Sequence, residues 1–247
     1  MFNTNDTISS NNYGDFKIIQ YTSWDNIRIK WLDCYGFEMT VTSSQIKSGH
    51  IRNPYYPIKY GVGYLGVGPY KTSVSGKQTT QYIVWNGMLS RCYNMSHFAY
   101  PVYGGRGVLV SHEWHNFQNF AEWFNENYVS GWELDKDILI KNNVLYSSST
   151  CCFVPVRLNN ILSNARKSRG DFPLGVSFHK HSGKFRAQMN TGVNYTHLGY
   201  FQTVGEAFSC YKQHKEGLIK AVATEFKEEL PDSVYNSLMS WVVEKDD

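Results

Sequence analysis

The chain lacks any run of about 20 apolar residues that could cross a bilayer. Its opening residues, Met1-Phe-Asn-Thr-Asn-Asp6, carry neither the basic segment nor the apolar core of a secretion signal. Neither membrane insertion nor export is expected, and the expected location is the cytoplasm. Cysteine is sparse and odd in number: Cys34, Cys92, Cys151, Cys152 and Cys210. No C-x-x-C occurs and no histidines follow at zinc-finger spacing, which excludes a zinc-finger framework. These thiols are expected as small buried hydrophobes in a reducing compartment. Charge of one sign is also lacking overall, since the formal net charge is only +3.

Acid is locally scarce, however. Between Arg157 and Arg186 lie Arg157, Arg166, Lys167, Arg169, Lys180, Lys184 and Arg186, with Asp171 as the only acid. The tail carries the opposite bias through Glu225, Glu228, Glu229, Asp232, Glu244, Asp246 and Asp247. A basic middle with an acidic end fits a local surface for a polyanion. What the chain has in quantity is aromatic residues, 16% of the total with 18 Tyr and 7 Trp among 247 residues. Most of them are expected to fill thin cores of small β-rich modules, and some to contact nucleic acid.

The pattern along the chain is α+β and modular. Residues 1–14 are polar and read as a flexible arm. Residues 15–60 form a β-rich module: Phe16–Tyr21, Ile27–Trp31 and Phe37–Val41 alternate apolar and polar residues. A short helix with a Ser or Thr cap follows and stops at Gly49. Lys17, Arg28 and Lys30 leave one basic edge. Residues 61–80 read as a linker, whose glycines lack the flanking strand and helix of a dinucleotide loop. Helical spacing places Trp85, Met88 and Cys92 on one face, and Trp114, Phe117, Phe120 and Phe124 on another.

The stretch Trp132 to Asn160 reads as a strand bearing Asp135 and Asp137, an Asn142-Asn143 turn, a second apolar strand, and a helix holding Asn159 and Asn160. Beyond Gly170, three strands lead into a helix at Thr203, where Thr203-x-x-Glu206 forms a capping box. The strands are Leu174–Phe178, Lys184–Met189 and His197–Phe201. A final amphipathic helix occupies the acidic segment 226–247.

Three stretches carry a resemblance to phage and mobile-element proteins. Trp85-x-x-Met88-x-x-Arg91-Cys92-Tyr93-Asn94, then Tyr103-Gly-Gly-Arg106-Gly107-Val108, then Trp114-x-x-Phe117-x-x-Phe120, resemble the lead-in of HNH (His-Me finger) homing-endonuclease-like proteins. Leu134-Asp135-Lys136-Asp137 through Asn159 resembles their ββα finger, so that 81–170 looks like one HNH-type domain. Gly175-Val176, Gly183-Lys184-Phe185-x-Ala187, Leu198-Gly199-x-Phe201 and Thr203-x-x-Glu206-Ala207-x-x-x-Tyr211 resemble the ethylene-response-factor type of DNA-binding domain, over 171–225.

The resemblance implies a sequence-directed binder of double-stranded DNA, with metal-dependent phosphodiester hydrolysis or nicking at the finger. Asp135, Lys136, Asp137 and Asn159 would be the catalytic residues, and Asp135, Asp137 and Asn159 would hold Mg²⁺ or Mn²⁺. The sequence departs from the family in one respect: Lys136 stands where the histidine base is usual, and no histidine lies between Glu126 and Asn160. A protonated lysine is a poor base. The alternative is therefore a catalytically inactive DNA-binding or host-factor-blocking phage protein, acting in the host cytoplasm with a host or phage protein as partner. DNA contacts are expected from Arg106, Arg157, Arg166, Lys167, Arg169, His179, Lys180, Lys184, Arg186 and Gln188. Arg pairs with guanine edges or phosphate and Gln with adenine.

Overall fold

The computed structural model describes residues 2–163 and 172–245. The chain is α+β, with several small sheets, and divides into two compact units at Glu126/Asn127. That division falls inside the 81–170 segment, leaving its first helices in one unit and the finger in the other.

The first unit begins with an antiparallel meander of strands β1 (Thr7–Ser10), β2 (Gly14–Ser23), β3 (Asn26–Trp31) and β4 (Glu38–Val41). Its alternation buries Phe16, Ile18, Ile27, Ile29, Trp31 and Val41 on one face, under Ile46 of helix α1 (Ser43–Ser48). Thr42 and Gln45 close a capping box on α1, and Gly49 ends it in the left-handed region. The expected flexible arm is corrected here. Thr7 to Ser10 pair in register with Lys17 to Gly14, and the Ser10 hydroxyl donates to the Ile51 carbonyl at 2.9 Å. A polar strand of this kind takes its order from its partner, which its own sequence does not reveal. The basic edge is also altered, because Glu38 lies 2.8 Å from Arg28 and 3.7 Å from Lys30.

Residues 61–80 hold a small hairpin, β5 (Ser73–Val74) with β6 (Lys77–Gln78). Helix α2 (Thr80–Tyr93) buries Trp85, Met88 and Cys92 as its spacing predicts. Two 3-10 turns, Tyr100–Val102 and Gly104–Arg106, and the short strand β7 (Leu109–Val110) follow. The next helix is interrupted: α3 (His112–His115) and α4 (Phe117–Asn127) are separated by Asn116, whose backbone is extended and whose side chain accepts from the Gln118 amide. An Asn that caps a new helix competes with continuation of the old one. Trp114, Phe117, Phe120 and Phe124 remain buried despite the break, and Trp85 Nε1 donates to the Trp114 carbonyl at 2.7 Å.

The second unit contains the finger and the C-terminal sheet. Strand β8 (Trp132–Asp135) pairs antiparallel with β10 (Cys152–Pro155), the short strand β9 (Leu145–Tyr146) lies between them in sequence, and helix α5 (Val156–Leu162) follows. The expected order of strand, strand and helix is present, but the partner of β8 is β10 and not the segment that directly follows the Asn142-Asn143 turn, and Asp137 lies beyond the end of β8. Strands β11 (Val176–His179), β12 (Lys184–Asn190) and β13 (Tyr195–Phe201) form an antiparallel sheet in that order, backed by helix α6 (Val204–Glu225). Helix α7 (Asp232–Met239) completes the unit.

Helix α6 organises both parts. Its 22 residues extend about 33 Å. Ala207, Phe208 and Tyr211 pack beneath Ala187 and Met189 of the sheet. Farther along, Ile219, Val222 and Ala223 pack against Val154, Leu158 and Ile161 of the finger, together with Val234 and Leu238 of α7. The finger and the sheet thus share one rigid strut. The junction before β11 depends on Gly175, which has φ +78°, and a Cβ there would run into the Tyr211 ring. Gly175→Ala is expected to lower stability by at least about 2 kcal/mol, through left-handed strain and displacement of Tyr211. Chemical denaturation followed by far-UV dichroism measures it.

Candidate nucleic-acid interface

In the finger, the sequence places its acids differently from a two-carboxylate metal site. Strand β8 ends at Asp135, whose Oδ1 accepts from the backbone amides of Asp137 at 2.7 Å and Ile138 at 2.8 Å. This turn, formed by an Asp side chain on its own backbone, takes Asp137 out of the strand. The expected shared strand face of Asp135 and Asp137 is therefore corrected. Burial pushes the Asp135 carboxyl up to about 6, against the lowering effect of those two amide bonds.

Asp137 has its own partner. The Lys136 Nζ donates to both carboxylate oxygens of Asp137, at 2.7 and 2.9 Å, and to the Asn143 carbonyl at 2.5 Å. An ammonium has three N–H bonds, and these three acceptors use them all. Asn143 closes the arrangement by donating its amide to the Lys136 and Leu145 carbonyls, next to Asn142 at φ +60°. Asn159 faces Glu133, its Nδ2 donating to the Glu133 carboxylate. Of the four residues expected to act together, Asp135 is engaged in a turn, Lys136 and Asp137 are paired with each other, and Asn159 Nδ2 is given to Glu133. Among the described residues no three His, Cys, Asp or Glu side chains come together as a metal-holding group.

The C-terminal sheet behaves differently. Strand β12 turns Phe185, Ala187 and Met189 toward α6, and Lys184, Arg186 and Gln188 outward. His179 stands opposite Lys184, and Ser177 stands opposite Arg186, accepting from its Nε at 3.3 Å. On β13, Tyr200 pairs with Arg186 and His197 with Gln188.

Neither His197 nor Tyr200 was expected as part of this face. Three residues apart in a regular strand, they would point to opposite sides. A β-bulge puts them together: Gly199 pairs with Ala187 and His197 with Gln188, so Leu198 is extra. Gly199 sits at φ +147°, where a side chain is strained. The rings of His179 and His197 lie 4.9 and 4.7 Å from that of Tyr200. A glycine inside a strand is the signal that could have found this.

From Phe172 to Gly205 the sequence contains no Asp or Glu. The first acid after it, Glu206, is used on the Gln202 and Thr203 amides, in the capping box that the sequence predicts. Lys180 is exposed in the β11–β12 turn. Of the other expected DNA contacts, Arg157 is paired with Glu225 at 2.6 Å and is neutralised there. Arg106 is exposed in a 3-10 turn of the first unit. Arg166, Lys167 and Arg169 lie outside the described residues. No helix is long and apolar enough to cross a membrane among the described residues.

In comparisons with protein-family models, curated proteins and solved structures, nothing matches this chain.

Proposed function

We propose that the chain binds double-stranded DNA through the outer face of the β11–β13 sheet, with the finger acting as a rigid support and not as a nuclease centre. The observation that carries this is the side-by-side placement of His179, Lys184, Arg186 and Gln188 on a sheet face whose strands and turns contain no acid. A twisted antiparallel ribbon fits the major groove, which is about 12 Å wide. Its outward side chains then meet base edges, and the turn lysine meets phosphate. Arg186 suits guanine or phosphate and Gln188 suits adenine, so the face has the donors for sequence-directed contact.

The finger supports this arrangement mechanically, since its apolar strand and helix hold the far half of α6. Cleavage is not assigned to it, because Asp137 is paired with Lys136 and Asp135 is bonded to its own backbone.

The test is fluorescence anisotropy on duplex DNA across a salt series. Neutralising three or four phosphates predicts affinity falling roughly 40- to 150-fold between about 50 and 200 mM salt. Binding that is absent at low salt would refute the proposal. Supercoiled plasmid incubated with Mg²⁺ or Mn²⁺ is expected to stay intact. Nicking that disappears in Asp137→Ala would instead restore a metal-dependent nuclease at the finger. A chain that binds no DNA but retains a protein partner would be a host-factor-blocking protein.

A further inference from the structure

We infer that DNA binding by this sheet is coupled to proton uptake at His179 and His197, so that affinity rises as pH falls through the imidazole range. The inference rests on the proposed DNA-binding face and goes beyond it by assigning two binding groups and a regulation.

The basis is geometric. The His179 and His197 rings flank Tyr200, and Tyr200 pairs with Arg186 in the middle of the face. The β-bulge at Gly199 is what brings His197 onto this side. The groups that surround the two imidazoles are cationic or neutral. Lys184 lies opposite His179 on β12, Lys180 and His181 follow it in the turn, and Ser182 Oγ is 2.9 Å from its Nδ1. Gln188 lies opposite His197, and Arg186 lies between them. Helix α6 packs on the other face and offers no acid here, since the Glu206 carboxylate is held on the backbone at Gln202 and Thr203. The strands and turns of the sheet contain no carboxylate.

A bound phosphate supplies the anion that the face itself lacks. An anion beside an imidazole favours its charged form. Each ring that gains a proton on binding adds a charge-assisted N–H donor to phosphate. By linkage, a group that binds protons more tightly in the complex makes the complex tighter at lower pH. The coupling is therefore read across the imidazole range, between about pH 8 and pH 6.

The experiment is anisotropy on one duplex at fixed ionic strength, at pH 8.0 and pH 6.0, with the full chain and with His179→Gln/His197→Gln. The full chain is expected to bind about tenfold or more tightly at pH 6.0. In the double variant the ratio is expected to fall below about twofold, whatever its affinity at pH 8.0. Calorimetry on the unmodified chain at pH 6.5, in two buffers of different ionisation enthalpy, is expected to show net proton uptake on binding. This second measurement does not depend on the variant folding. A pH-flat affinity in the full chain, absence of proton uptake, or a ratio kept by the double variant would overturn the coupling and leave the DNA-binding face standing. Failure of the full chain to bind duplex at either pH would instead overturn the DNA-binding face and the coupling with it.

Discussion

Lys215→Met is expected to stabilise the second unit by about 3 kcal/mol at pH 7. Lys215 lies on α6 between Tyr211 and Ile219, on the stripe at i, i+4 spacing that packs inward, and is only 4% exposed. Its ammonium is 6.0 Å from the centre of the Tyr211 ring. Burial alone pulls its pKa from the ordinary 10.5 down to about 8, with no carboxylate contributing. A buried cation without an ionic partner costs free energy, and a thioether of similar length removes that cost while filling the same space.

The pH dependence has a definite sign. The folded pKa is below the unfolded one, so between pH 8 and 10.5 the unfolded chain holds more protons, and stability rises with pH in that window. Below pH 8 the full cost is present. The advantage of Lys215→Met is therefore expected to shrink to about 1 kcal/mol at pH 10. Urea denaturation of both proteins at pH 7 and pH 10 measures this. A variant less stable at pH 7 would show that the ammonium is compensated in the folded state.

Local, self-contained signals were legible in the sequence. Thr203 and Glu206 form their capping box because both partners lie within one turn, and the helix cores around Trp85 and Trp114 follow from 3.6-residue spacing alone. The Lys184–Met189 alternation likewise placed Arg186 and Gln188 on one face and Ala187 and Met189 on the other. What escaped depends on choices between local and distant partners. The polar Thr7–Ser10 became a strand only because β2 offered an edge. Lys215 looks like a surface lysine until α6 is packed between the sheet and the finger.

The finger shows the same limit at the candidate site. Its ββα outline follows from the apolar pattern, but the fate of its acids does not. Asp135 and Asp137 are two residues apart, which in an uninterrupted strand puts both carboxylates on one side. The backbone instead turns at Asp135, because its side chain accepts the two next free amides. Lys136 is thereby brought between Asp137 and the Asn143 carbonyl. Lys136 supplies an internal cation that the neighbouring oxygens of Asp137 and Asn143 enclose.

The sheet, by contrast, leaves its cations available, and Lys184→Ala/Arg186→Ala is expected to weaken duplex binding about 100-fold near 0.1 M salt. The two residues have different jobs. Lys184 is a point charge next to His179 at the turn end of β12, so its loss should weaken all sequences equally and lower the salt slope by about one. Arg186 sits at the centre of the face, its Nε held by Ser177 and its neighbour Tyr200 alongside. Its loss should cost affinity and relax preference at one base position, by about 1–3 kcal/mol of discrimination. Arg186→Lys keeps the charge but not the planar fork, so it should restore the salt slope without restoring the preference. Lys220→Ala, an exposed lysine on α6, removes the same charge away from this face and should leave affinity unchanged. Anisotropy across a salt series and a base-substituted duplex panel separates these effects. If the Lys220 variant loses as much affinity as Lys184→Ala alone, which removes the same single charge, binding follows net charge and the sheet face has no special part in it.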